Sequence, residues 1–486
     1  MSHVSRRRFL EDSMFAAAAA VAAGPMGRAW ADDAPQSKSP NEKLSVAVIG
    51  VNGQGKGHLG EYSSRKDTEV TYICDADEKV GMQRVADTAK KQGRAPKYVQ
   101  DLRRVFDDKT VDVVSTATPN HWHALVSIWA MQAGKDVYVE KPVSHNISEG
   151  RRMVETARAH KKICQTGTQC RSMGGTIEAI DWVHSGKIGE LKVARGLCYK
   201  TRNSIGPKGV YAVPANIDYN LWTGPAPLKP PTRNGDRGPI HYDWHWFWDY
   251  GCGDLGNQGI HQMDIARWGM GVDTLPTEVL SYGGRLGYQD AGETANTQVI
   301  IHDYGPKTLV FEVRGLKTDA LRGAKVGVIF EGSDGYVVLT DYTSGAAFDS
   351  SGNKVKDFNA GGDHFGNFLK AVRSRKVEDL NADILEGHLS SALCHLGNIS
   401  YRLGSQTSLQ DAEKRLAGND EAVATFQRFS RHLADNGLDL KKVELGFGKE
   451  LRFDPKAEKF IDNSLADQML TREYRAPFIV PAAGQV

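Results

Sequence analysis

The chain has 486 residues, with 61 Lys and Arg against 59 Asp and Glu, for a formal net charge of +2. That balance excludes binding driven by a broad basic surface, so neither nucleic acid nor an anionic membrane is an expected partner. The length allows two domains, or three small ones, and a 40% hydrophobic content is ordinary for a globular chain.

The first residues read as an address. Ser5-Arg6-Arg7-Arg8-Phe9-Leu10 is a twin-arginine pattern, and a weakly hydrophobic, alanine-rich stretch follows from Met14 to Gly24. Ala29-Trp30-Ala31 then offers a small-x-small cleavage site before Asp32. Residues 1–31 are therefore expected to be a twin-arginine signal peptide, with a periplasmic destination. The apolar run is too short for a stable membrane span, and no later segment reaches about 18 apolar residues. Removing the signal takes away four basic and two acidic residues, which leaves the remainder neutral. Residues 32–43, with their Pro and Ser, read as a flexible linker. The six cysteines sit mostly in apolar runs and form no CxxC pair or zinc spacing. Free buried thiols are expected rather than disulfides, because this export route carries proteins folded in a reducing cytosol. No metal site is expected.

From Leu44 the pattern alternates strand and helix. Leu44–Ile49 is a continuous apolar run, as a parallel strand buried on both faces requires. Gly50-Val51-Asn52-Gly53-Gln54-Gly55 follows. This is a glycine-rich dinucleotide fingerprint with Asn52 in place of the second glycine, and Asn tolerates positive φ. Glu69–Cys74 is the second strand. It ends at Asp75, about 20 residues past Gly55, where a carboxylate accepts from a ribose hydroxyl and repels a 2′-phosphate. NAD is therefore expected over NADP.

A third run, Val111–Ala117, ends in Thr118-Pro119-Asn120-His121-Trp122-His123 at the cofactor edge of the sheet. His121 and His123 are candidates to touch the nicotinamide, or to pack within a capped helix. Asp136–Val139 ends in Glu140-Lys141-Pro142, and Lys162–Gln169 completes at least five strands.

In this order the motifs resemble the glucose–fructose oxidoreductase / inositol dehydrogenase family. Those that carry the resemblance are the glycine-rich turn, Cys74-Asp75, Thr118-Pro119-Asn120, Glu140-Lys141-Pro142 and Gly167-Thr168-Gln169. Gly186–Leu191, Leu221–Ala226, Gly253–Asp264, His364–Arg373 and Glu473–Pro477 extend it to the C-terminus. The resemblance implies an α/β chain: an N-terminal Rossmann domain (44–169), then a substrate and oligomerisation α/β domain (170–450) with a large, open, mostly antiparallel sheet. A tail (451–486) follows, and a dimer or tetramer is implied. Cofactor contacts are expected from Gly50, Asn52, Gly53, Gln54, Gly55, Asp75, Thr118, Pro119, Asn120, His123, Glu140, Lys141 and Gln169. The family pairs the lysine, here Lys141, with an Asp-x-x-x-His pattern. His261 matches the histidine, and Asn257 stands at the aspartate position.

Asn257 can orient a hydroxyl but cannot take its proton. Asp264, on the same helical face as His261, is expected to orient the imidazole; Asp254 is the other nearby carboxylate. His261, with a pKa near neutrality, is the expected base, and Lys141, positioned by Glu140, stabilises the developing alkoxide. The aromatic segment His241–Tyr250 is either a sugar platform or core material. If it lines the pocket, Trp244, His245 and Trp246 are the candidates. His388, His395 and Asn398 share a helix face that reads as packed rather than ligating. Three functions fit: an exported NAD(P)-dependent oxidoreductase acting on a hydroxyl of a sugar, polyol or glycoside, with its cofactor retained or exchanged; a glycosidase that uses NAD transiently; and a non-catalytic sugar- or nucleotide-binding protein.

Overall fold

The computed structural model describes residues 43–233, 238 and 240–486. The signal (1–31) and all of the linker except Lys43 lie outside the described residues. Six strands build the first sheet: β1 (Leu44–Ile49), β2 (Thr68–Cys74), β3 (Lys97–Val99), β4 (Val113–Thr116), β5 (Asp136–Val139) and β6 (Cys164–Thr166). All pairs are parallel, in the order β3-β2-β1-β4-β5-β6. The order reverses between β1 and β4, and a ligand crevice opens at the carboxyl ends of strands at such a point.

Helices α1 (Gln54–Ser64), α2 (Glu78–Gln92), α3 (Arg103–Asp107), α4 (Asn120–Gln132) and α5 (Ile147–Ala159) connect these strands. Val46, Ala47 and Val48 have no exposed surface, because helices cover both faces of the sheet. The caps are legible in the sequence: Asp77 accepts from Val80 N to start α2, and Asn146 accepts from Glu149 N to start α5.

The second sheet has 12 strands among the described residues. They are β7 (Leu191–Tyr199), β8 (Glu278–Gly284), β9 (Thr297–Asp303), β10 (Thr308–Arg314), β11 (Val326–Gly332), β12 (Gly335–Leu339), β13 (Ser344–Asp349), β14 (Lys354–Asn359), β15 (Ser405–Ser408), β16 (Glu444–Phe447), β17 (Leu451–Asp454) and β18 (Lys459–Phe460). The main path runs β14-β13-β12-β11-β7-β10-β9-β8-β16-β15, with β17 joined to β8. Pairing is antiparallel except for β7 with β10. A helix at Ile260–Gly269 and a longer one at Ile384–Arg402 pack on one face. Two amphipathic helices pack on the other, Leu409–Leu416 through Leu409, Ala412 and Leu416 and Asp420–Asp435 through Phe426, Phe429 and Leu433.

Two segments tie the domains together. Phe368, Leu369 and Val372, on the helix His364–Ser374, share a core with Val46 and Val48 of β1. Near the C-terminus, Phe478 and Val480 pack with Trp122 of α4. Beneath the helix Asp420–Asp435, Glu312 on β10 is fully buried and accepts from Arg195 (2.9 Å), Arg314 (2.8 Å) and Arg428 (2.9 Å). Burial alone would raise its pKa, but the three guanidinium groups outweigh this and hold it at about 2. Removing one member of such a cluster strands the others. Glu312→Ala should therefore lower stability by about 3 kcal/mol or more. A urea midpoint within error of the wild type would contradict that.

Candidate active site

Gly50 and Gly55 set the glycine-rich turn. Gly50 has φ +79°, and a Cβ there would lie 2.8 Å from Thr118 N; one on Gly55 would lie 1.9 Å from the Gly50 carbonyl. The turn thus closes against the end of β4, where only hydrogen fits. Gly53 differs: a Cβ there would meet nothing within 4 Å. It stands at the N-cap of α1, where no side chain among the described residues supplies a cap. Open space before an uncapped helix N-terminus fits a pyrophosphate. Gln54, beside it, is exposed.

Asp75 organises this turn from β2. Its Oδ2 accepts from Val51 N at 2.7 Å, and its Oδ1 accepts from Asp77 N at 2.9 Å. Burial raises its pKa. A carboxylate oxygen accepts more than one hydrogen bond, so a ribose hydroxyl still finds an acceptor. Asn52 is joined to the second domain: its Nδ2 donates to His241 Nδ1 at 2.9 Å, and His241 Nε2 donates to Asp77 Oδ2 at 3.0 Å. The tautomer follows from Asp77, which only accepts.

At the β4 edge, Thr118 Oγ1 lies 3.1 Å from Thr116 Oγ1. Pro119 occupies the N-cap of α4, and the buried Asn120 Oδ1 has no partner among the described residues. Both histidines of this segment are buried and lie against backbone carbonyls. The His123 ring lies between two backbone carbonyls, Pro142 at 2.6 Å from Nδ1 and Thr118 at 2.7 Å from Nε2, and its one N–H donates to one of them. The ring thus sits between the ends of β4 and β5. His121 Nε2 donates to the Trp222 carbonyl at 3.1 Å.

Glu140 is 4% exposed. Its Oε1 accepts from His58 Nε2 at 3.2 Å and Gln169 Nε2 at 3.3 Å, and its Oε2 from the backbone N of Lys141 at 3.2 Å. Burial opposes ionisation, but the His58 hydrogen bond and the nearby cations outweigh it and hold the pKa at about 2. Glu140 therefore positions the Lys141 backbone rather than its ammonium. Lys141 Nζ instead donates to the Asn257 carbonyl at 2.7 Å. Burial and Lys200 lower the Lys141 pKa.

Asn257 lies in a π-helical turn, Leu255–Gly259, that leads into the helix carrying His261. Such wide turns recur at functional sites. Its side chain donates to Asp254 Oδ1 at 3.3 Å. Arg202 grips Asp254 at 2.5 and 2.9 Å and donates to the Tyr242 hydroxyl at 3.2 Å. Tyr242 has φ +65°, and Asp243 N donates to the His241 carbonyl across it, so Tyr242 centres a strained three-residue turn. Arg202, Tyr242 and His58 were not singled out in the sequence, since an isolated Arg, Tyr or His carries no spacing signal.

Two expectations for the helix are corrected. Asp264 does not orient His261: its carboxylate takes Arg171 at 2.8 to 3.0 Å and Ser390 Oγ at 2.7 Å. His261 is 4% exposed, and its Nδ1 has no partner among the described residues. Nor is His261 near neutral in pKa. Burial, then the charge of Lys141, push it down to about 3. It is neutral at physiological pH but a weak base.

The aromatic segment divides. Trp246 is core, 5% exposed, with Arg202 over its ring. His245 donates from Nδ1 to the Tyr242 carbonyl; burial, helped by the charge of Lys141, outweighs that hydrogen bond and pushes its pKa down to about 3. Its ring stacks on half-buried Trp244 with centroids 3.6 Å apart. Farther off, His388 pairs with Glu458 at 2.8 Å, His395 with the Ser144 carbonyl at 3.1 Å, and Asn398 with the Cys252 carbonyl at 3.1 Å. That face is packed and hydrogen-bonded. All six cysteines are buried and free.

The buried histidines fix a pH dependence. His121, His245, His261 and His302 each fall from 6.5 to about 3. Between those values the unfolded chain binds protons that the folded chain does not. Stability is thus full above pH 6.5 and is lost as pH falls towards 3, by about 1.4 kcal/mol per unit for each histidine. Urea midpoints should drop clearly between pH 7 and pH 5. A flat midpoint over that range would contradict the burial of neutral imidazoles.

Comparison with known proteins agrees with this geometry. Residues 44–168 match the family model described as "Oxidoreductase family, NAD-binding Rossmann fold". Residues 196–435 match the model described as "Oxidoreductase family, C-terminal alpha/beta domain". A glycosyl hydrolase family 109 protein of Shewanella baltica (strain OS155 / ATCC BAA-1091) is 28% identical over 207 residues, 39% of this chain and 45% of that protein. Glycosyl hydrolase family 109 protein 2 of Shewanella sp. (strain ANA-3) is 30% identical over 206 residues, with the same coverage. The chain thus spans less than half the length of these relatives. The WlbA dehydrogenase of Bordetella pertussis, solved with NADH and UDP-GlcNAcA, superposes with a TM-score of 0.55 at 18% identity, covering 74% of this chain and 97% of that one. The UDP-N-acetylglucosamine 3-dehydrogenase GnnA of Acidithiobacillus ferrooxidans gives 0.50 at 14% identity, covering 74% and 97%. At these identities the superpositions establish the fold. With an NAD-binding Rossmann domain and a matching C-terminal domain, the chain belongs to the glucose–fructose oxidoreductase / inositol dehydrogenase family of oxidoreductases.

Proposed function

We propose that this chain is an exported NAD-dependent oxidoreductase acting on a secondary hydroxyl of a sugar, polyol or glycoside. One observation carries the reading. Lys141 Nζ sits at the carboxyl end of β5, on the Asn257 carbonyl, beside a neutral His261 whose Nδ1 has no partner among the described residues. Gly53 and the uncapped start of α1 fit the pyrophosphate, Asp75 the adenosine ribose, and Thr118, Pro119 and Asn120 the crevice edge. When bound, the nicotinamide supplies the hydride acceptor. The chain's own residues handle the proton. Lys141, its pKa lowered, takes the hydroxyl proton and then faces the developing alkoxide as an ammonium. His261, as a neutral imidazole, donates its one N–H to the same oxygen and fixes its direction. Export to a periplasm rests on the twin-arginine pattern alone. A redox-cycling glycosidase is the second reading, favoured by the glycosyl hydrolase family 109 matches.

Lys141→Ala should reduce turnover by at least about 10²-fold, the loss seen when one charge-stabilising donor is removed. NAD affinity should stay within a few-fold. The assay follows nicotinamide absorbance while sugars and glycosides are added. Near-normal turnover would remove Lys141 from the mechanism, and release of an aglycone without net reduction would select the glycosidase. Asp75→Ala should weaken discrimination between NAD and NADP, compared through their dissociation constants; an unchanged ratio would remove the ribose role.

A further inference from the structure

Beside the site lies a cavity of about 160 Å³ that the chemistry above does not use. Five aromatic side chains line it: Tyr219, Trp222, Trp244, Phe247 and Tyr250. Tyr219 and Trp222 are stacked, with ring centroids 5.5 Å apart and planes 9° apart, and Tyr250 leans on Trp222 at 4.9 Å. Two carboxylates stand in the lining, Asp249 and Glu293. Asp249 pairs with Lys229 at 2.7 Å, and Glu293 Oε2 accepts from Trp248 N at 2.9 Å. Each retains acceptor capacity.

The cavity is coupled to the reacting groups through one wall. Trp244 stacks on His245, and His245 lies close enough to Lys141 to feel its charge. The volume is well below the roughly 300 Å³ at which drug-sized ligand sites begin. It is room for one ring. A pyranose presents an apolar C–H face and a rim of hydroxyls, which aromatic faces and carboxylate acceptors complement. A purely aromatic ring would leave the remaining acceptor capacity of the two carboxylates unused.

We propose that this cavity is a second sugar subsite. It holds the neighbouring pyranose of a glycoside whose reacting ring lies at Lys141. The proposal rests on the carbohydrate reading above and makes the preferred substrate a disaccharide or longer glycoside rather than a free monosaccharide.

The test is calorimetry on the full-length protein loaded with NAD. Cellobiose, maltose, lactose and chitobiose are compared with glucose, galactose and N-acetylglucosamine, and with phenyl β-glucoside. At least one disaccharide should bind about tenfold more tightly than its component sugars. Tyr219→Ala should bring that ratio close to one, and Glu293→Gln, which keeps the acceptor for Trp248 N, should reduce it in part. A fold defect would weaken both ligands and leave the ratio standing, so the ratio is the readout. No disaccharide advantage, a ratio that survives Tyr219→Ala, or phenyl β-glucoside binding best would each overturn the assignment. Nicotinamide absorbance recorded in parallel separates the two claims. Disaccharide selectivity without redox change or hydrolysis keeps the subsite and rejects the oxidoreductase. Reduction by monosaccharides with no disaccharide advantage does the reverse.

Discussion

Burying an ionised carboxylate carries a penalty of several kcal/mol unless its oxygens are satisfied. Glu140 is buried, and three elements meet to satisfy it. His58 arrives from α1, Gln169 from the segment after β6 and the Lys141 amide from the end of β5, while Gly167 of that same segment after β6 packs closely against the carboxylate. A Cβ on Gly167 would lie 2.9 Å from the Glu140 carboxyl carbon. His58 is held in turn by Ser115 of β4 at 2.9 Å. One carboxylate therefore fixes the relative positions of the nucleotide helix, two sheet strands and the backbone that carries Lys141. The site's precision depends on this buried contact more than on any group that would touch a substrate.

The Rossmann half was legible because its signals are local. Continuous β-branched runs, a glycine-rich turn and an acid at the end of β2 each follow from a few adjacent residues. The second sheet was legible only as an implication of resemblance. Its strands are joined by register between residues far apart in the chain, such as Arg195 opposite Val310 and Ile329. No short window of sequence encodes such pairing. The buried Arg195–Glu312–Arg314 cluster stayed invisible for the same reason.

The site divides along a similar line. Lys141, Asn257 and His261 were found by motif, and they do converge. Their chemistry was less legible. The spacing of Asp264 from His261 suggested a pair, but a helix face says nothing of what packs on it, and Arg171 takes the carboxylate. The near-neutral pKa expected of His261 failed because burial, which dominates its shift, is a tertiary property. His123 was legible as a crevice residue; its place between the strand ends, where its ring nitrogens lie against the Pro142 and Thr118 carbonyls, was not.

The account centres on one event, transfer of a carbon-bound hydrogen from a sugar beside Lys141 to the nicotinamide. The most direct test loads the protein with oxidised NAD and mixes it rapidly with a glycoside deuterated at its ring carbons. The nicotinamide is then recovered after a single turnover and weighed by mass spectrometry. The account predicts a reduced nicotinamide that carries deuterium. Nicotinamide that stays oxidised, or is reduced without acquiring deuterium, would contradict it.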